Sequence, residues 1–268
     1  MEKRYTGRFH DKIDLHQTET LDLTFDERSS GNVELYLRDD LSSLNLNIHA
    51  HRYSYVKIYM QNESGQDVTC RISGDVENDA KVTMGLLDLE RKGFDLDLVS
   101  NLNEQGADFE VFTGQLCLKD APKKGHMKVI HHTGHTYGNM HNFAVAYDYG
   151  NYEMVADGTI KKGCPGSESH QETRVLTMGT HHRAEAIPIL YIDENDVKAS
   201  HALSIGQPDA SQLYYLQSRG LNKEQAMGLL SIGYFMPVIS LLEDEEQRDH
   251  VRQEMERKVG LNGYSEEH

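Results

Sequence analysis

From about Leu21 to Ile205 apolar and polar residues alternate with a period of two, and helical periodicity is nearly absent. Successive side chains of a strand point to opposite faces, so this alternation marks half-buried strands and commits most of the chain to β structure. Val33-Glu34-Leu35-Tyr36-Leu37, Leu44-Asn45-Leu46-Asn47-Ile48, Val68-Thr69-Cys70-Arg71-Ile72 and Phe94-Asp95-Leu96-Asp97-Leu98 are examples. Turn residues that accept positive φ separate them, as in Asn62-Glu63-Ser64-Gly65, Asn103-Glu104-Gln105-Gly106 and Tyr149-Gly150-Asn151. A sandwich, a barrel and a parallel β-helix all fit this pattern, and no strict repeat selects among them.

After Gly206 the period changes to that of helices. Asp209 is placed to cap a helix running through Tyr214 and Leu216, with Gly220 as its αL stop. Asn222 and Gln225 form a capping-box start for a second helix carrying Met227, Leu229, Leu230, Ile232 and Phe235, which Pro237 is expected to kink or split. A charged third helix is expected from about Asp244 to Val259, ending at Gly260, with Tyr264–His268 as a mobile tail. The division is thus a β body over residues 1–205 and a helical segment over 206–268. Three short amphipathic helices cannot cover their own apolar stripes, so they must pack on the β body or on another protein.

The chain has 43 acidic and 27 basic side chains, for a formal net charge of -16. That balance argues against a nucleic-acid partner, because phosphates are held by clustered Lys and Arg. No apolar run reaches the roughly 18 residues needed to cross a bilayer, and the start of the chain lacks the apolar stretch of a secretory signal. A cytoplasmic protein without membrane contact is expected. Three cysteines do not make a disulfide framework and are read as packed thiols or ligands.

Fifteen histidines are the most unusual compositional feature. His131, His132, His135 and His141 fall in one segment and would suit a mononuclear metal enzyme if their nitrogens converged. The competing reading is a polar strand edge with a solvated turn. Parity with Val68 and Ile72 places Cys70 in the core, and Cys117, between Leu116 and Leu118, is read as buried too. Cys164 differs, because the turn Lys162-Gly163-Cys164-Pro165-Gly166 surrounds it with open backbone and with lysines that would lower a thiol pKa. No Gly-x-x-x-x-Gly-Lys-Ser/Thr loop, Gly-x-Ser-x-Gly elbow, His-Glu-x-x-His pair or Cys-x-x-Cys occurs. Any nucleotide chemistry is therefore expected from a partner, and the chain is read as a non-enzyme.

From Met178 to about Ser240 a series of motifs occurs in order. Pro188-Ile189-Leu190-Tyr191-Ile192 precedes Asp196-Val197-Lys198-Ala199-Ser200-His201, and then come Gln212-Leu213-Tyr214-Tyr215-Leu216-Gln217-Ser218-Arg219-Gly220-Leu221 and Glu224-Gln225-Ala226. Upstream, Asp157-Gly158-Thr159-Ile160 and Gln171-Glu172-Thr173-Arg174 are less distinctive. Together these segments resemble the SufB/SufD family of iron–sulfur cluster assembly scaffolds.

The resemblance implies a mostly β fold, a right-handed parallel β-helix with a short C-terminal α-helical segment. It also implies a scaffold of a Suf-type complex that dimerises through the end of its β-helix, as a homodimer or with a SufB/SufD-like chain, and holds a transient iron–sulfur cluster there. A SufC-like ABC ATPase would dock on the helices, for which Leu213, Tyr214, Leu216, Arg219, Met227, Leu230 and Phe235 are the candidate contacts. His201 matches the interface histidine carried by both SufB and SufD. SufB has a cysteine six positions before the proline matched by Pro188 and a glutamate after that histidine, where this chain has His182 and Ala202. His182, Glu185 and Cys164 thereby become candidate substitute ligands beside His201. Two other readings stay in play: a mononuclear metal enzyme built on His131–His141, and a metal-free structural adaptor.

Overall fold

The computed structural model describes residues 1–258, and Val259 onward, including the expected tail, lies outside them. Sixteen strands come first, followed by α1 (Ala210–Ser218), α2 (Lys223–Ile239) and α3 (Glu245–Lys258). The chain crosses one sheet, turns, crosses the other and turns again. Odd strands consequently stack in the order β1-β3-β5-β7-β9-β11-β13-β15, and even strands in the order β16-β14-β12-β10-β8-β6-β4-β2. Every strand-to-strand pairing in both sheets is parallel. This β-solenoid resolves the three architectures left open by spacing.

The absence of a strict repeat has a geometric cause. Residues aligned on adjacent turns are bonded at separations that grow along the chain, from 25 for Asn47 to Asp22 and 26 for Asn62 to Asp88. They reach 29 for Thr113 to Asn142 and 31 for Asn142 to Thr173. Strands stay in register while the corners lengthen, so no fixed period survives in the sequence.

One corner is a ladder of left-handed residues, one per turn. Arg28, Tyr53, Asp79, Gly106, His135 and Gly166 all have φ between 51° and 78°. All six amides donate to carbonyls one turn on: Arg28 to Arg52 at 3.1 Å, Tyr53 to Asn78 and Asp79 to Gln105 at 3.0 Å, Gly106 to His135 at 2.9 Å, His135 to Pro165 at 2.8 Å and Gly166 to Asp196 at 2.6 Å. The ladder supplies partners for corner amides that would otherwise compete for water.

Inward rows from both sheets form the main core, which includes Leu21, Leu46, Ile72, Leu98, Val129 and Met154. Cys70 and Cys117 are buried in it as expected. A second apolar cluster lies outside the even-strand sheet, where Leu87, Leu116, Val145 and Leu176 pack under Phe235, Val238, Ile239 and Leu242. Gly85 on β8 (Lys81–Asp88) and Gly114 on β10 (Asp108–Cys117) make this seat possible. A Cβ on Gly114 would lie 3.1 Å from Phe235 and 3.2 Å from Val238, and one on Gly85 would lie 2.5 Å from Leu241.

The helix boundaries follow the capping chemistry. Asp209 accepts from the Ser211 amide, Gly220 adopts φ 97°, and Asn222 with Gln225 closes a complete capping box. The expected split at Pro237 does not occur, since α2 continues through it to Ile239. Pro237 falls in the last turn, and Gly233, whose carbonyl it leaves without a donor, is exposed to water. Helix α3 buries Val251 and Met255, and Lys258 ties it to the body through Glu90 at 2.6 Å.

Candidate functional site

The two ends of the solenoid are finished differently. At the first end Tyr5, Phe9 and Phe25 stack with ring centroids 4.7–5.5 Å apart, and Asp11 accepts from Tyr5 Oη at 2.9 Å and Lys3 Nζ at 3.2 Å. Ile13 and Leu15 beneath are buried. At the other end nothing among the described residues covers the last turn: β15 (Arg183–Ile192) has no buried residue, and β16 (Val197–Gly206) is exposed throughout its second half. Ile187, Tyr191, Ile192, Leu203 and Ile205 are 39–61% exposed there. Sequence reasoning did not single these residues out, although β15 carries Ile and Leu on both parities where earlier strands of its sheet alternate with polar residues. Isolated exposed apolar side chains are ordinary, whereas a contiguous group on a bare strand pair marks an interaction surface.

His201 lies on this open end, in the inward row of β16 and in register with Gln171 of β14 (Ser167–Thr177). His182 just precedes β15 and is held by a hydrogen bond between Nδ1 and the Gly179 carbonyl at 3.2 Å. Glu185 is paired with Arg183 at 3.0 Å. Cys164 lies in the turn after β13 (Asn151–Ile160) and is completely buried, its thiol donating to the His131 carbonyl at 3.4 Å. Burial raises its pKa, outweighing the bond with the Lys161 backbone and the Lys161 charge that act in the other direction. The expectation of a lysine-activated thiol is therefore corrected: Cys164 is a packed, neutral thiol in this state.

These four residues are not drawn together within one chain. Cys164 follows the strand end at Ile160, whereas His182 precedes the strand start at Arg183, and the ten-residue strands between these edges span about 30 Å. Among the described residues, no three or more His, Cys, Asp or Glu side chains are placed to hold one metal ion.

The His131–His141 segment is also dispersed. His131 is inside the solenoid, its Nδ1 2.7 Å from Thr136 Oγ1, and burial pushes its pKa down to about 4. His132 faces outward between Asn101 at 3.0 Å and Lys161 at 3.0 Å, and His135 occupies an αL corner position. His141 lies on the outer face of the other sheet, 3.3 Å from both Glu110 and Glu172. Burial lowers its pKa, but the hydrogen bonds and charges of these two carboxylates outweigh it and raise the value overall. Four imidazoles facing four directions give no common metal position.

The candidate docking residues divide by exposure. Helix α1 buries nothing: Tyr214 and Tyr215 are 75% and 56% exposed, and Leu213 and Leu216 are half-covered. Arg219 is exposed and sits over the Tyr215 ring at 5.3 Å, adding Tyr215 to the surface read from sequence. Met227 and Leu230 are half-covered. Phe235 is fully buried against the sheet, so its assignment to a partner surface is corrected, because it anchors α2 over Gly114. No helix among the described residues is long and apolar enough to cross a membrane.

Residues 12–234 match the family described as SUF system FeS cluster assembly, SufBD core domain. The iron–sulfur cluster assembly protein SufD of Bacillus subtilis is 38% identical over 132 residues, covering 49% of this chain and 30% of that protein. A SufBD family protein of Mycobacterium leprae is 33% identical over 108 residues, covering 40% of this chain and 28% of the relative. One of Mycobacterium bovis is 29% identical over 136 residues, covering 50% and 16%. The matched segments thus span less than a third of these relatives' length. With the matched family extending over the solenoid and into α2, the chain belongs to the SufBD core family of iron–sulfur cluster assembly proteins.

Proposed function

We propose that this chain is a scaffold subunit of a Suf-type assembly complex, joining a second SufB/SufD-like chain through its open solenoid end and a SufC-like ABC ATPase through its helices. The observation that carries this reading is the difference between the ends, one sealed by its own aromatic stack and the other left as two bare strands with exposed Ile, Leu and Tyr. A helix with no buried residue, α1, supplies the second surface. Nucleotide turnover enters from the ATPase, in keeping with a chain that carries no phosphate-loop motif.

A transient cluster is assigned to the joined ends, with His201 as the first protein ligand because it is exposed there and makes no side-chain bond among the described residues. His182 and Glu185 lie at one margin of the same end. Cys164 lies at the opposite strand edge and is buried there, so it is not counted among the ligands of this cluster within one chain. Anaerobic reconstitution with ferrous iron and sulfide, followed by visible absorption, tests this assignment. His201→Ala should lose most of the cluster absorbance while Cys164→Ala in the unperturbed protein retains it, and equal loading by His201→Ala would remove the histidine from the site. Co-purification with a Suf-type ABC ATPase tests the helical surface separately. Tyr214→Ala combined with Tyr215→Ala should abolish capture, and retained capture would move the docking surface elsewhere.

A further inference from the structure

Asp157-Gly158-Thr159-Ile160 and Gln171-Glu172-Thr173-Arg174 meet inside the solenoid, just behind its open end. Gln171 is 3% exposed, on the inward row of β14 and in register with His201 of β16. Its Nε2 donates to the Ile189 carbonyl of β15 at 2.8 Å. A carbonyl only accepts, so this bond fixes which end of the amide is nitrogen. The other end, Oε1, is buried and has no hydrogen-bond partner among the described residues. Gly158 of β13 gives the amide its room, because a Cβ there would lie 3.1 Å from Nε2 and would strike the Ser169 hydroxyl beside it.

An acceptor that is buried, anchored and unused calls for a donor within reach. Polar side chains in register on adjacent turns bond one another elsewhere in this solenoid. Thr113 donates to Asn142 at 2.8 Å and Asn142 to Thr173 at 3.2 Å on the inward face that also carries Gln171. On the outer face of β14 and β16, His170 Nδ1 lies 2.7 Å from Ser200 Oγ. Gln171 and His201 form another in-register pair, with backbones about 4.8 Å apart.

We propose that Gln171 is a positioning residue for His201: its Oε1 accepts the N–H of one imidazole nitrogen and leaves the lone pair of the other directed out of the open end. This rests on the assignment of His201 as a ligand and supplies a reason for its ring to face outwards in one tautomer. An imidazole ligand must present a bare nitrogen to iron, and the hydrogen bond made by its other nitrogen decides which one that is. An amide oxygen suits the task, since it accepts a hydrogen bond without carrying a charge. The bond to Ile189 comes from the opposite sheet and holds the amide against rotation, so Oε1 keeps one direction.

The ring reports its own state. With isotope-labelled histidine, long-range nitrogen–proton correlation at about pH 8, above the usual imidazole range, distinguishes the two neutral tautomers in the metal-free protein. The signal missing from His201→Ala identifies His201. It should be a single tautomer in the wild type and a mixture in Gln171→Leu, while His131, 2.7 Å from Thr136 Oγ1, keeps the same signal in both. Gly158→Ala crowds the amide without altering its chemistry and should also yield a mixture, so that if one variant fails to fold by circular dichroism the other decides. Anaerobic loading gives a second reading: the iron concentration for half-loading should rise at least about tenfold in Gln171→Leu, as when the hydrogen bond behind a metal-bound imidazole is lost. A mixture of tautomers in the wild type, or an unchanged single tautomer in a folded Gln171→Leu, overturns the role of Gln171 independently of cluster loading. Equal loading by His201→Ala, with the tautomers as expected, would instead remove the ligand assignment and keep the bond between Gln171 and His201.

Discussion

Lys123 and Asp88 have no solvent exposure and lie 2.6 Å apart, and Lys123 Nζ also donates to the carbonyls of Glu90 at 2.9 Å and Lys92 at 2.6 Å. Every proton of the ammonium is used, which is the condition under which a buried pair persists at all. Lys123→Met would strand the Asp88 carboxylate and is expected to cost about 3–5 kcal/mol in urea unfolding; a loss below about 1 kcal/mol would mean that water already reaches the pair. His131 gives a titratable contrast. Its folded pKa of about 4 lies below the unfolded value near 6.5, so between these values the unfolded chain binds the proton that the folded chain refuses. Stability therefore falls as pH drops from about 6.5 towards 4, by up to about 3 kcal/mol from this residue alone. His131→Asn should flatten that part of the stability–pH curve, and a curve parallel to the wild type would exclude His131 as its source. None of this was legible beforehand: parity gives His131 and Lys123 an inward direction, but the groups that hold Lys123 lie on the preceding turn, and the burial that disfavours the His131 cation is completed only by stacking.

At the scale of elements, the sequence shows what is made locally and hides what is made by stacking. The strands, Asp209, the Asn222–Gln225 box and Gly220 were readable because each depends on residues a few positions apart. The αL corner was not, because Arg28, Tyr53, Asp79 and His135 occupy positions where glycine would have given it away. Stacking amides hold these residues there against a cost of roughly 1–2 kcal/mol each. Gly106 and Gly166 are the exceptions that chemistry requires, since a Cβ would come within 2.0 Å of Asp79 Oδ1 at the first and 2.5 Å of His135 Nδ1 at the second. The seat of α2 was hidden for a related reason: Gly85 and Gly114 read as weak points in strands until a helix is found lying across them. Gly114→Val should push Phe235 and Val238 off the sheet, lowering stability by about 1–3 kcal/mol and exposing α2 to limited proteolysis. Unchanged thermal and proteolytic stability would show that the helix rests elsewhere. Tyr214→Ala on α1 should leave the melting temperature unaltered, because that helix buries nothing.

For the whole molecule, the decisive contrast is between a long-range repulsion and a local neutrality. A chain of net charge -16 repels its own copy at a distance, yet its open end carries ion pairs that cancel and an apolar surface that gains by being covered. Repulsion between charges spread over the solenoid is screened with a Debye length of about 10 Å at 0.1 M salt, whereas backbone pairing and apolar burial at the seam are not weakened by salt in this range. Raising salt from about 0.05 to 0.5 M should therefore tighten the proposed end-to-end association of two such chains several-fold, driven mainly by a faster association rate. A seam held by ion pairs between chains would do the reverse, loosening as salt rises. Sedimentation equilibrium at the two salt concentrations distinguishes these cases, and weaker association at high salt would show that charge, and not the bare strands, joins the ends.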